Sequence, residues 1–377
     1  MSSKRHLNKF TFNTNDETEK HILNDISNIK NILLLSIKNI LGIYLVGGFG
    51  RGEGSVIVLK KKIHVINDYD IVIIYKDNIS SEEKNIVNRK LKDKINIRQI
   101  DITYYNYKAL SKLKNTIYNY DFKNHAKIIY QKKDYISLIP EFNKKFKIFE
   151  AYLPLEVYMS ALILSLPPKI NFNNLNKSKK FWITHQISKS IIGWSLTDMI
   201  ANNLYEPLYS NRYEVLKKIY LKHNQKNKIE LVKFALDFKL STNYEIDLEL
   251  DKLWFQSKKI HMDTLINKFF VFFHLKIPLY FFKFKIKNIF RYLYGILFNQ
   301  KKYYEYSNLF LSKLFFLLSI NENFLDKYNF QLCIKYCKKI GLNKKKNYSV
   351  DEILTFLKDK DPNCIQFMQT KEDFVDE

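Results

Sequence analysis

Five of the chain's nine glycines fall in one run, Gly47-Gly48-Phe49-Gly50-Arg51-Gly52-Glu53-Gly54. A chain so poor in glycine has a reason to concentrate them, because glycine is needed where φ is positive or where a Cβ would block an approach. Residues 42–46, just before the run, have the β-branched and aromatic content of a strand that leads straight into a turn. Successive backbone amides in such a turn form an anion-binding concavity, and a helix N-terminus beyond it adds to the attraction. Gly47 and Gly48 are therefore candidates to border the phosphates of a ligand, with Arg51 and Glu53 beside them.

The next informative segment is Asn67-Asp68-Tyr69-Asp70, which opens the apolar run 69–75. Side chains two apart on a strand share a face, so Asp68 and Asp70 point the same way, roughly 6–7 Å apart. Carboxylates that close repel unless a cation lies between them. Magnesium takes oxygen ligands and keeps waters and phosphates as its others, so it suits the place. A third acid, Asp101, stands between Ile100 and Ile102 in the strand-like run 98–105, where an unpaired carboxylate is costly without a metal or partner. A glycine turn for a triphosphate and three converging acids for divalent metal are the parts that nucleotidyl transfer needs.

Neither the glycine run nor Asp-x-Asp is specific alone; their order, each on the expected element, is. Together they resemble the nucleotidyltransferase superfamily that includes DNA polymerase β. The glycine segment is similar to that of the bacterial uridylyltransferases that modify a nitrogen-signalling protein. The resemblance covers residues 20–135, about a third of the chain. It implies an α+β N-terminal nucleotidyltransferase domain, a mixed sheet with flanking helices, followed by a mostly α-helical domain. It matches Gly47 and Gly48 to the family's glycine pair and Asp68 and Asp70 to its metal-binding pair. Asp101 matches the third acid, which completes the metal site and helps activate the attacking hydroxyl. One or two Mg²⁺ ions and an NTP, ATP included, are then expected.

One departure is visible. The stretch from Gly48 to Asp68 is longer than the family usually shows, and 55–66 alternates (Val56, Val58; Ile63, Val65) around Lys60-Lys61-Lys62 as an inserted β-hairpin would. The insertion leaves two readings of Arg51. It can meet a β- or γ-phosphate, since guanidinium suits bidentate contact, or it can pair with Glu53 or another acid and fix the loop. Glu53 reads more readily as structural, and Asn67 as ordering the turn into the strand.

A chain of 377 residues is long enough for two domains, divided here as 1–142 and 143–377. In the first, patterning predicts a helix over 16–40, a strand over 42–46, a helix from Ser80 or Ser81 to Leu91, a helix over 107–119 and a strand over 126–131. Beyond Pro140 the strand signals fade. Segments 150–166, 181–203, 213–222 and 228–238 show helical spacing, and Pro167-Pro168 ends the first of them. The second domain is expected to hold the acceptor, with Lys189 and Arg212 as cations to inspect, although either reads more simply as a solvated surface charge.

The formal charge of +24 ordinarily suggests nucleic acid or an anionic surface. Only six of the cations are arginine, and Lys, Asn, Ile, Tyr and Phe all abound, as an AT-rich genome would produce, so codon bias weakens that inference. RNA is the less favoured partner. Three cysteines make no disulfide framework, and Cys333 and Cys337, one helical turn apart, read as small buried hydrophobes. The apolar region 269–298 is broken by lysines, Pro278 and Arg291 and does not read as a membrane span; buried helices with snorkelling lysines are favoured over a membrane- or RNA-facing surface. The N-terminus, with Lys4, Arg5 and Lys9 but no apolar run after them, does not read as a signal peptide, so a cytoplasmic location is the expectation. The first expectation for function is metal-dependent transfer of a nucleoside monophosphate from an NTP to a hydroxyl of a small molecule or protein. The second is an RNA or tRNA nucleotidyltransferase. A non-catalytic nucleotide-binding regulatory module is the alternative of another class.

Overall fold

The computed structural model describes residues 9–12, 15–59, 62–95, 100–173, 175–241, 249–270, 301–322, 325–343 and 347–361. The fold is α+β, with a small mixed sheet and many helices. Contacts divide the chain into two compact units. The first holds Met1–Lys147, Met199–Ile229 and Leu236–Tyr244; the second holds Ile148–Asp198, Glu230–Ala235 and Glu245–Glu377. Both units are built from separate stretches of chain.

The sheet of the first unit has the order β5-β4-β1-β6, formed by β1 (Ile40–Val46), β4 (Tyr69–Tyr75), β5 (Ile100–Asn106) and β6 (Lys127–Gln131). β4 and β5 run parallel, joined through α3 (Ser81–Lys94), while β1 is antiparallel to both β4 and β6. The two central strands are apolar on both faces because both faces are covered. Ile43, Leu45, Tyr69, Ile71 and Ile73 meet Ile22, Ile26, Ile29 and Leu33 of α1 (Asp16–Ser36), with Val87 and Leu91 of α3 in the same core. Tyr44, Val46, Val72 and Ile74 point to the other face, where Phe122 of α4 (Ile117–His125) is fully buried. Asp70 lies two residues before Val72 and so belongs to the α4 face.

Local chemistry explains the element ends. Asn15 caps α1 through the Thr18 amide, and Ser80 and Glu83 form a reciprocal capping box on α3. α1 ends at Ser36 rather than running to residue 40, because Ile40 and Leu41 join the sheet, Ile40 opposite Tyr75. The helix expected over 107–119 is two elements. A 3₁₀ turn, Tyr107–Lys112, is capped by Asn106, and α4 restarts after Thr116, whose side chain accepts from the Asn119 amide. The insertion is a hairpin of β2 (Val56–Leu59) and β3 (Lys62–Val65), Val56 opposite Val65.

The unit is completed by α7 (Tyr209–Lys222) and by the end of α8 (Lys226–Ser241). The second unit is helical among its described residues. It contains α5 (Tyr152–Leu164), most of α6 (Lys177–Ala201), α9 (Leu250–Thr264), and helices at Lys301–Ser319, Lys327–Lys339 and Val350–Lys360. Cys333 and Cys337 are buried free thiols, their Sγ atoms 3.8 Å apart. Most of the apolar region 269–298 lies outside the described residues. Among the described residues no helix is long and apolar enough to cross a membrane.

Candidate active site

Strand pairing decides where the acids meet. Val46, the last residue of β1, lies opposite Asp70, and on the other side of β4 Asp70 lies opposite Asp101 of β5. The glycine run and two of the three acids therefore occupy neighbouring strands at one end of the sheet. Asp68 directly precedes β4, one residue outside its pairing. Asp101 is on the edge strand and exposed, so the burial cost expected for a carboxylate between two isoleucines does not arise.

Gly47 and Gly48, read alike from sequence, differ. Gly47 has φ +62°, and a Cβ there would stand 1.9 Å from Asp70 Oδ2. A side chain at this position would meet both a strained backbone and the carboxylate. Gly48 lies in the short helix α2 (Gly47–Arg51) without positive φ, and its nearest neighbour would be the Glu53 carbonyl oxygen at an ordinary 3.5 Å.

Arg51 and Glu53 are committed to partners within the unit. Arg51 Nη1 donates to Asp121 Oδ2 at 2.7 Å, its Nε lies 3.8 Å from Glu53 Oε2, and its guanidinium covers the Tyr209 ring at 5.1 Å. Glu53 is buried; one of its oxygens accepts from the Tyr209 amide (2.8 Å) and the other from the Ser210 amide (2.9 Å), the first turn of α7. A carboxylate on the free amides of a helix start satisfies donors that otherwise have no partner. Tyr205 donates to the second oxygen of Asp121 at 2.9 Å. Arg212 is buried rather than solvated: it donates to the Glu206 carbonyl and stacks on Tyr209 at 4.3 Å. Lys189 lies on α6, partly buried, in the second unit.

Sequence reasoning missed Lys239, from the last turn of α8. Its buried ammonium donates to Asn67 Oδ1 at 2.6 Å, and the same Asn67 oxygen accepts from the Ser55 amide at 3.1 Å. Ser55 Oγ in turn donates to the Lys239 carbonyl at 2.7 Å. Burial and the Arg51 charge lower the Lys239 ammonium to about 8, against the opposing pull of Asp68, Asp70 and Glu53. Nothing local marks this lysine among so many others. Asn67 does more than order a turn: it holds the cation beside the acids.

Asp70 has the most perturbed carboxyl of the cluster. Burial, then the charges of Asp68 and Asp101, raise it to about 7, with Arg51 and Lys239 pulling the other way. Among the described residues no group of three or more His, Cys, Asp or Glu is already arranged to hold a metal ion. The donor set nonetheless fits a hard divalent cation. It offers carboxylate oxygens only, and Asp70 suffers the mutual repulsion that such an ion relieves.

No family model matches the chain, and no curated protein matches it. Among solved structures it is similar to spectinomycin adenyltransferase AAD(9) from Enterococcus faecialis, determined with ATP and spectinomycin. The identity is 14% and the TM-score 0.42, over 64% of this chain and 98% of that one.

Proposed function

We propose that this protein is a metal-dependent nucleotidyltransferase that moves a nucleoside monophosphate from an NTP to an acceptor hydroxyl. The observation that supports it best is the register that sets Asp70 between the glycine turn and Asp101, with Asp68 adjoining and Lys239 as a nearby buried cation. Asp68, Asp70 and Asp101 are the residues that would hold magnesium. When bound, the ion neutralises the phosphates and polarises them toward attack.

The chain's own residues do the rest. Gly47, having no Cβ, leaves the Asp70 carboxylate room beside the turn. Lys239, with its ammonium near 8, is mostly protonated at neutral pH and adds positive charge for the triphosphate. Exposed Asp101 accepts the proton of the attacking hydroxyl. The acceptor oxygen forms a bond to the α-phosphorus, the bond from that phosphorus to the bridging oxygen breaks, and pyrophosphate leaves. Arg51 and Glu53 act on the architecture: they bind α7 to the glycine turn and keep the first unit's separate stretches together.

Incubation of the full chain with each labelled NTP, Mg²⁺ and either a small-molecule extract or total tRNA tests this reading. Metal-dependent labelling of an extract component, lost in Asp68→Ala and Asp70→Ala, is expected. Labelling of tRNA alone would make RNA the acceptor. Absence of labelling with every NTP in both arms would count against both of these acceptors and favour the non-catalytic module.

A further inference from the structure

The sheet order separates two flanks of the acid cluster. The glycine turn leaves β1 on one side of Asp70, and Asp101 stands on the other side, on β5. β5 is an edge strand, so no further described strand pairs beyond it. In-line transfer needs the acceptor oxygen opposite the departing pyrophosphate. With the triphosphate toward the glycines, the acceptor enters from the β5 flank.

On that flank α4 presents Tyr118. Its hydroxyl donates to Thr103 Oγ1 at 2.9 Å, and Thr103 lies two residues beyond Asp101 on the same face of β5. Burial pushes the Tyr118 phenol well above its ordinary range, the Thr103 hydrogen bond opposes the rise, and the charges of Asp70 and Asp101 add smaller contributions to it, so the phenol lies within the field of both acids. Packing alone does not account for the ring. One helical turn later Phe122 is fully buried and covers the sheet, whereas Tyr118 remains 41% exposed. A half-open aromatic face beside two hydroxyl groups and a carboxylate can take apolar carbons on the ring while steering a neighbouring hydroxyl toward Asp101.

We infer that Tyr118 is a specificity-determining residue that contacts the acceptor and not the nucleotide. This rests on the nucleotidyl-transfer reading above. The experiment uses the full chain and the NTP that the wild type turns over, with the small-molecule extract as acceptor source. Nucleotide affinity is measured by calorimetry with Ca²⁺ replacing Mg²⁺ to slow turnover. Tyr118→Ala should lower transfer by about tenfold or more at subsaturating extract, while nucleotide Kd stays within about twofold. Tyr118→Phe keeps the ring and loses the bond to Thr103; it should show the same split with a smaller loss, and it carries the test if the alanine variant does not fold. Wild-type-like transfer in these variants, or nucleotide affinity that falls in step with transfer, overturns the inference and leaves the nucleotidyl-transfer reading standing. A wild type that transfers from no NTP removes both.

Discussion

Replacing Asp70 by asparagine should make the metal-free protein more stable, and only above mildly acidic pH. Its carboxyl is raised from 3.8 to about 7 by burial and by Asp68 and Asp101. Well below its ordinary value of 3.8 the group is protonated in folded and unfolded chains alike and contributes no difference. Between about pH 4 and 7 the unfolded chain releases its proton while the folded one retains it, so stability falls as pH rises and stays low above 7. A shift of about 3 units corresponds to about 4 kcal/mol. Asp70 is partly exposed, so about half of that, about 2 kcal/mol, is the expected size. Asp70→Asn keeps the shape without the charge and should gain this amount at about pH 8 and little of it at about pH 4. Urea denaturation followed by far-ultraviolet circular dichroism is the assay, since Trp182, Trp194 and Trp254 all belong to the second unit and their fluorescence would report on it. Mg²⁺ should raise the wild type toward the variant at about pH 8 and leave the variant unmoved. An equal difference between variant and wild type at both pH values would refute the reasoning, because the repulsion would then not reside in this ionisation.

The glycines give a paired test: Gly47→Ala should abolish transfer and cost stability, whereas Gly48→Ala should fold with a change of under about 1 kcal/mol, both read by thermal unfolding and the labelling assay. Glu53→Ala removes both acceptors from the start of α7 and leaves Arg51 short of an anion, so a loss of about 3–5 kcal/mol in urea denaturation is expected. Asp101→Asn should lower kcat far more than nucleotide affinity, as measured by single-turnover kinetics beside calorimetry, and equal losses in both would move Asp101 to the nucleotide side.

The parts of the first unit that announce themselves do so by local chemistry. The run from Ile71 to Ile74 is apolar throughout because both faces of β4 are covered, and Ser80 with Glu83 spells out a capping box. The hairpin over residues 55–66 shows in its alternation. Strand order is not written in any one segment, which is why Asp101 could be placed on a strand but not on an edge, where solvent removes the cost of its charge. Asn106 and Thr116 are ordinary polar residues until their side chains compete for backbone amides and divide one expected helix into two. Lys239 is the strongest case. It returns to Asn67 across 172 residues, and a lysine at the end of an amphipathic helix carries no mark of that destination. Arg212 follows the same logic, its burial set by Tyr209 and the Glu206 carbonyl rather than by its neighbours in sequence.

The base of the hairpin has a consequence for how this chain can change. Ile66 donates to the Ser55 carbonyl, the Asn67 side chain binds the Ser55 amide, and Lys239 clasps both residues from a distant helix. The two ends of the ribbon are thus fastened to each other before it departs, and β4 begins two residues after Asn67 regardless of what lies outward. Since the entropy of closing a loop grows only with the logarithm of its length, the ribbon is a natural splice point. It can be shortened, extended or exchanged for another segment while the clasp keeps Asp68 and Asp70 in register, so descendants of this chain could vary what reaches outward without rebuilding the end of the sheet.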